Sequence, residues 1–112
     1  MVKVKELNIE RGFPTKDVAI RNLVNGISTA KGSGFKAVIV VHGYGSSGAG
    51  GVIKPAVRNK LKEPSLRGIV KDYVSGEEWY NKKKDFLNYC NQLKDFNKYV
   101  DGNQGVTIVL LK

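Results

Sequence analysis

The chain has a single cysteine in 112 residues, so no internal disulfide can hold it. Cys90 is therefore expected to be a small buried hydrophobe rather than a nucleophile. No apolar run approaches the roughly 20 residues that a membrane span needs, so no membrane partner is expected. The first 15 residues carry charge throughout, so no secretory leader is read there and the cytoplasm is the expected location. Acidic residues are scarce as well. Ten Asp and Glu stand against 19 Lys and Arg, for a formal net charge of +9. The imbalance is local: residues 1–51 hold seven basic and three acidic side chains, residues 52–74 six and two, and residues 75–101 five of each. A basic surface of that kind suits a polyanion, though surplus lysine can also serve only to keep a small protein soluble.

Hydrophobic residues at 41% and charged residues at 26% are those of an ordinary globular chain. The length supports one domain, 1–112, with one core. Val2, Val4, Leu7 and Ile9 trace a first strand, and Gly12-Phe13-Pro14 breaks it. Thr15 is placed to cap a helix carried by Val18, Ala19, Ile20, Leu23, Val24 and Ile27, which Lys31-Gly32-Ser33-Gly34 ends. Residues 36–41 read as an inner strand, because Ala37-Val38-Ile39-Val40-Val41 is continuously apolar and largely β-branched. The spacing predicts a second helix over 52–62, with Pro55 in its first turn and Pro64 closing it. An edge strand is expected over 67–74. Ser75-Gly76-Glu77-Glu78 fits a capping box for a third helix, whose stripe Trp79, Phe86, Tyr89, Cys90, Leu93, Phe96 and Val100 predicts about six turns. After the turn cluster 101–105, residues 106–111 form a last strand. Alternating strands and helices predict an α/β fold with a mixed or mostly parallel sheet.

The inner strand runs straight into His42-Gly43-Tyr44-Gly45-Ser46-Ser47-Gly48-Ala49-Gly50-Gly51. A strand end, a glycine-rich loop and a helix start together hold anions: free N–H groups, a favourable dipole end and no side chains in the way. The only histidine of the chain sits at its mouth. Gly43 to Gly48 is also a literal G-x-G-x-x-G, with Asp72 near the end of the next strand, so a dinucleotide-binding module is a distant alternative. The glycines continue to Gly51, which starts the helix too late for that arrangement. No Gly-Lys-Ser/Thr follows, so a nucleotide-hydrolase phosphate loop is excluded.

His42-Gly43-Tyr44-Gly45, then Gly51-Val52-Ile53-Lys54 with Arg58 and Leu61, and the closing Gly105-Val106-Thr107-Ile108-Val109-Leu110-Leu111 resemble the small MutS-related (Smr) domain family. That resemblance implies a two-layer α/β sandwich with a four-stranded mixed sheet. The fold is similar to the C-terminal domain of the bacterial translation initiation factor that guards start-codon choice. It also implies nucleic-acid binding and, in many members, nicking of DNA or cleavage of RNA. Here two stretches depart from the pattern. Where the family has L-D-x-H-G at the first strand end, this chain has Leu7-Asn8-Ile9-Glu10-Arg11-Gly12, and Asn8 cannot serve as a base or take a full share of a metal ion. Residues 75–100 stand as an inserted helix where a short connection is usual; its aromatic stripe reads as core and Lys82-Lys83-Lys84 as a solvated face.

The resulting expectations are a catalytic pair of His42 and Glu10, as general acid and base or as half of a magnesium or manganese site. Gly43, Tyr44, Gly45, Gly48, Gly51, Lys54, Arg58, Lys62 and Arg11 are the candidate nucleic-acid contacts, with Lys54, Arg58 and Lys62 of the second helix on an i, i+4, i+8 stripe. DNA and RNA are both open as partners, and a non-catalytic DNA-, RNA- or ribosome-binding module is the alternative to a nonspecific endonuclease.

Overall fold

The computed structural model describes residues 2–12, 14–43 and 50–112. Among these, the order is β1 (Val4–Asn8), α1 (Lys16–Gly32), β2 (Ala37–Val41), α2 (Gly50–Leu61), β3 (Val70–Ser75), α3 (Trp79–Tyr89), α4 (Asn97–Val100) and β4 (Val106–Leu111). Short 3-10 turns intervene at Pro64–Leu66, Gly76–Glu78 and Asn91–Phe96. The sheet is four-stranded among the described residues, in the order β1-β2-β4-β3. Its β1–β2 pair is parallel, and β4 runs antiparallel to both β2 and β3. The mixed sheet of an α/β fold is thus as expected. The dinucleotide alternative does not survive this order. The strand beside β2 on the inner side is antiparallel, and Asp72 lies on the far edge strand with β4 in between.

Both β2 and β4 are sealed on two faces, which is why their sequences are apolar without alternation. On one face Leu23 and Ile27 of α1 and Ile53 and Val57 of α2 pack against Val38, Val40, Val109 and Leu111. On the other, Trp79 and Phe86 of α3 with Leu93 and Val100 cover Ala37, Ile39, Ile108 and Leu110. Counting the sheet, there are three layers rather than two, because residues 76–100 fold over the second face. Trp79 is fully buried, meets Phe86 edge-on at 5.8 Å between ring centres, and donates its indole N–H to Asn97 Oδ1 at 2.9 Å.

That covering segment is not one helix. The chain turns extended at Cys90 (φ −137°, ψ 92°) and continues as a 3-10 turn. The reason is in the spacing: Cys90, Leu93 and Phe96 recur every three residues, a face that a 3-10 turn keeps and an α-helix rotates away. Cys90 itself is buried, and burial pushes its thiol pKa up. The expected capping box is also absent, since Ser75 ends β3 and makes no side-chain cap bond. Thr15 does cap α1, accepting from the Val18 N–H at 3.3 Å. α2 starts two residues before its expected first residue, so Pro55 lies inside it rather than in its first turn.

Several basic side chains are spent on the fold. Lys60 pairs with Glu63 at 2.9 Å and Lys82 with Asp72 at 3.1 Å. The ammonium groups of Lys36 and Lys71 each lie 5.2 Å from the centre of the Tyr89 ring. These lysines are held in place on the fold, though the net charge of +9 already counts their acidic partners.

Candidate functional site

Parallel pairing with Asn8 opposite Val41 brings the ends of β1 and β2 to one edge of the sheet. The turn after β1 is shaped by Asn8, whose Oδ1 accepts the N–H groups of Glu10 and Arg11, both at 3.0 Å. The turn needs an acceptor oxygen there, and an amide supplies it as a carboxylate would. After β2 the chain reaches His42 and Gly43, whose N–H groups both donate to the Gly105 carbonyl, at 2.9 and 3.1 Å. Gly105 in turn donates to Asn103 Oδ1 at 2.9 Å. The H-G of one motif and the glycine of the closing strand are therefore one hydrogen-bonded unit.

Gly43 has φ +80°, and an added methyl there would run into the Glu10 carboxylate. The positive φ is what calls for glycine, since the flexible carboxylate can swing aside. The Glu10 carboxylate thus lies beside the His42–Gly43 turn. Replacing Gly43 by valine should cost about 2 kcal/mol in stability, from the left-handed backbone that a β-branched residue resists. A urea midpoint shift no larger than that of an exposed surface substitution would show that the turn tolerates a side chain.

The His42 ring is fully buried. Its Nδ1 lies 3.0 Å from the Gly43 carbonyl and its Nε2 2.8 Å from Thr107 Oγ1. A carbonyl can only accept, so Nδ1 carries the proton and Nε2 accepts from the Thr107 hydroxyl. Burial lowers the histidine pKa below its ordinary value; the bond to the Gly43 carbonyl is the main opposing influence, and the nearby cations Lys54 and Arg58 lower it further against a small opposition from Glu77. The imidazole is neutral at neutral pH, with both nitrogens engaged inside the fold. Among the described residues no three His, Cys, Asp or Glu side chains come together as metal ligands.

α2 supplies the cationic part of the site. It opens on two glycines, Gly50 and Gly51, and its own first turn brings no acid to the positive end of its dipole. Lys54 and Arg58 follow one turn apart and share one counter-charge, Glu77, at 2.7 and 3.9 Å. The hydrogen bond from Lys54 holds the Glu77 carboxyl below its ordinary pKa. Arg58 also lines a cleft of about 670 Å³ together with Tyr73, Glu78, Asn81, Lys82 and Thr107. Lys62 lies one residue beyond the helix end and is exposed, so the three-residue basic stripe is a pair plus an outlier. Arg11 stands on the turn after β1. Tyr44, Gly45 and Gly48 lie outside the described residues.

Two contributors were missed in the sequence. Thr107 is the single polar residue in an apolar strand, a signal that a buried polar partner waits opposite. Glu77 lies inside the Ser75–Glu78 stretch that reads as a capping box, which conceals its charge role.

Residues 11–112 match the family model of the Smr domain. The match begins after Asn8 and Glu10, so the stretch that departs most from the family pattern precedes it. The crystal structure of the Smr domain of Thermus thermophilus MutS2 is similar, with TM-score 0.58, 20% identity and 99% of each chain covered. At that identity the likeness is one of fold. No curated protein matches the chain. With the family model spanning all but its first ten residues, and the His42–Gly43 turn locked to Gly105 as one unit, this chain belongs to the Smr domain family.

Proposed function

We propose that this Smr domain binds nucleic acid through the phosphate backbone, where the His42–Gly43 turn meets the start of α2. The observation that carries the reading is the Lys54–Arg58 pair gathered around one carboxylate beside a helix start without acids. Glu77 occupies those cations as a phosphate oxygen would, with an ammonium contact of 2.7 Å and the guanidinium behind it. A phosphate arriving at the turn replaces one anion by another. The cations are then already oriented, and little side-chain entropy remains to be lost. Phosphate contacts position a strand without reading its sequence, so DNA, RNA and structured RNA such as the ribosome's are all ligands of this kind.

In this reading His42 is a positioning residue: its Nδ1–H bond to Gly43 and its bond to Thr107 hold the turn to β4. We favour binding without cleavage, because that neutral, enclosed imidazole reaches no phosphodiester. Supercoiled plasmid and labelled RNA, with and without magnesium or manganese, give the direct check. Nicking that disappears in Glu10→Ala while binding persists would establish the endonuclease instead.

Fluorescence anisotropy against labelled DNA and RNA over a range of salt tests the binding itself. Log affinity should fall linearly with log salt, with a slope of about 0.7–0.9 per phosphate contacted. Affinity that ignores salt, or no binding at low salt, removes the proposal.

A further inference from the structure

α3 and α4 leave one end of their sheet face uncovered. At the β1 edge, Glu6, Asn8, Val41 and Tyr99, with Arg11 from the turn after β1, line a pocket of about 370 Å³. Period-two alternation explains its walls: Glu6 and Asn8 follow Val4 on the face that Val4 buries, and Asn8 pairs with Val41. Tyr99 comes from α4 and is 42% exposed. The size falls in the range of small-molecule sites, about 300–1,000 Å³. Glu6 and Arg11 bring opposite charges to this pocket, yet form no side-chain hydrogen bond or ion pair with each other or with other described residues.

We infer that this pocket takes an unpaired guanine of the bound strand. The inference rests on the nucleic-acid reading above and adds to it base choice and strandedness. Guanine alone among the common bases offers acceptors at O6 and N7 together with donors at N1–H and N2–H₂. The first pair suits the Arg11 fork, and the second suits a carboxylate such as Glu6. Adenine lacks the N1 donor and carries an amino group where Arg11 needs an acceptor. Cytosine and uracil lack the N7 acceptor. The Tyr99 ring supplies a face on which a splayed base can stack, as in single-strand recognition generally. The placement is also right. Asn8 and Val41 end the strands from which the Glu10 and Gly43 turns continue, so a base here lies beside the phosphates proposed for the turn. A duplex buries the Watson–Crick edge that Glu6 reads, which makes the pocket a single-strand device.

The test uses the full chain at fixed salt, with oligo(dT) carrying a central guanine, adenine or cytosine, and with the guanine strand annealed to its complement. The guanine strand should bind about tenfold more tightly than the other single strands. Tyr99→Ala should lower affinity for all single strands containing a purine, by about tenfold for guanine, and leave duplex affinity unchanged. Tyr99→Phe should keep the parent's behaviour, since stacking needs the ring and not the hydroxyl. Glu6→Gln should level guanine with adenine. If the parent binds strands and duplex with the expected salt dependence, but Tyr99→Ala and Glu6→Gln match it on every ligand, the pocket is not a base site and only the backbone reading stands. If the parent binds none of them, both readings fall together.

Discussion

Lys54→Glu combined with Arg58→Glu should weaken nucleic-acid binding by about a hundredfold at low salt, whereas Glu77→Gln should strengthen it several-fold. A charge-assisted hydrogen bond contributes about 1.5–3 kcal/mol, so losing two and adding repulsion readily reaches that range. The opposite sign for Glu77 is the more telling half. Its carboxylate competes with phosphate for the same two cations, and glutamine removes the competing charge while keeping its shape. The slope of log affinity against log salt should steepen by up to about one in Glu77→Gln and become shallower in the double variant. The fold should tolerate the changes at Arg58 and Glu77, which are substantially exposed and whose pairing is worth about 0–1 kcal/mol, while the less exposed Lys54 makes the unfolding control necessary. Anisotropy titrations at several salt concentrations, with thermal unfolding as a control, measure both effects. Parent-like binding in both variants would place the phosphate contacts elsewhere on the surface.

The largest stability effect is expected at His42. Replacing it by alanine leaves a void in a sealed part of the fold and strips the Thr107 hydroxyl and the Gly43 carbonyl of their partner, a loss of about 3 kcal/mol. It also predicts a pH dependence with a definite sign. In the unfolded chain the ring titrates near 6.5. In the folded chain burial holds its pKa lower. Between the two values the unfolded chain binds more protons, so stability is full above about pH 7 and declines as pH falls through the unfolded value toward the folded one. The chain has one histidine, so a urea midpoint followed from pH 7.5 to 5.5 reads this group with little interference from carboxylates. His42→Gln should flatten the decline. A parent midpoint that is level across that window would mean the ring titrates alike in the folded and unfolded chain, as an imidazole open to solvent does.

Much of this architecture is legible in the sequence, for reasons that differ by element. β2 and β4 announce themselves because a strand covered on both faces must be apolar throughout, and α1 because Thr15 and Lys31-Gly32 bracket an amphipathic stripe. The pairing of β1 with β2, and hence the approach of Glu10 to the His42–Gly43 turn, came through the family pattern. The path of residues 76–100 is less legible. Apolar spacing of three and of four residues look alike in a list of positions, and only the break at Cys90 separates them. The inward turn of His42 depends on Thr107, 65 residues further on, and no local pattern reports a partner at that separation. Glu77 illustrates a different limit. It is an inner position of the Ser75–Glu78 box and carries no cue of its own, and the cations that claim it sit on another helix.

β4 occupies the inside of the sheet although it follows every other element in the chain order described. During synthesis β1 and β2 can pair as soon as both have left the ribosome, but β3 has no neighbour until residues 106–111 arrive to sit between it and β2. Until then the inner edge of β2 and the whole of β3 are unpaired backbone, the kind of surface that invites association with other chains. Assembly of this sheet is therefore a closing event rather than a progressive one. The steps before it are local, and the step that completes it joins residues far apart in sequence, which is the slow kind.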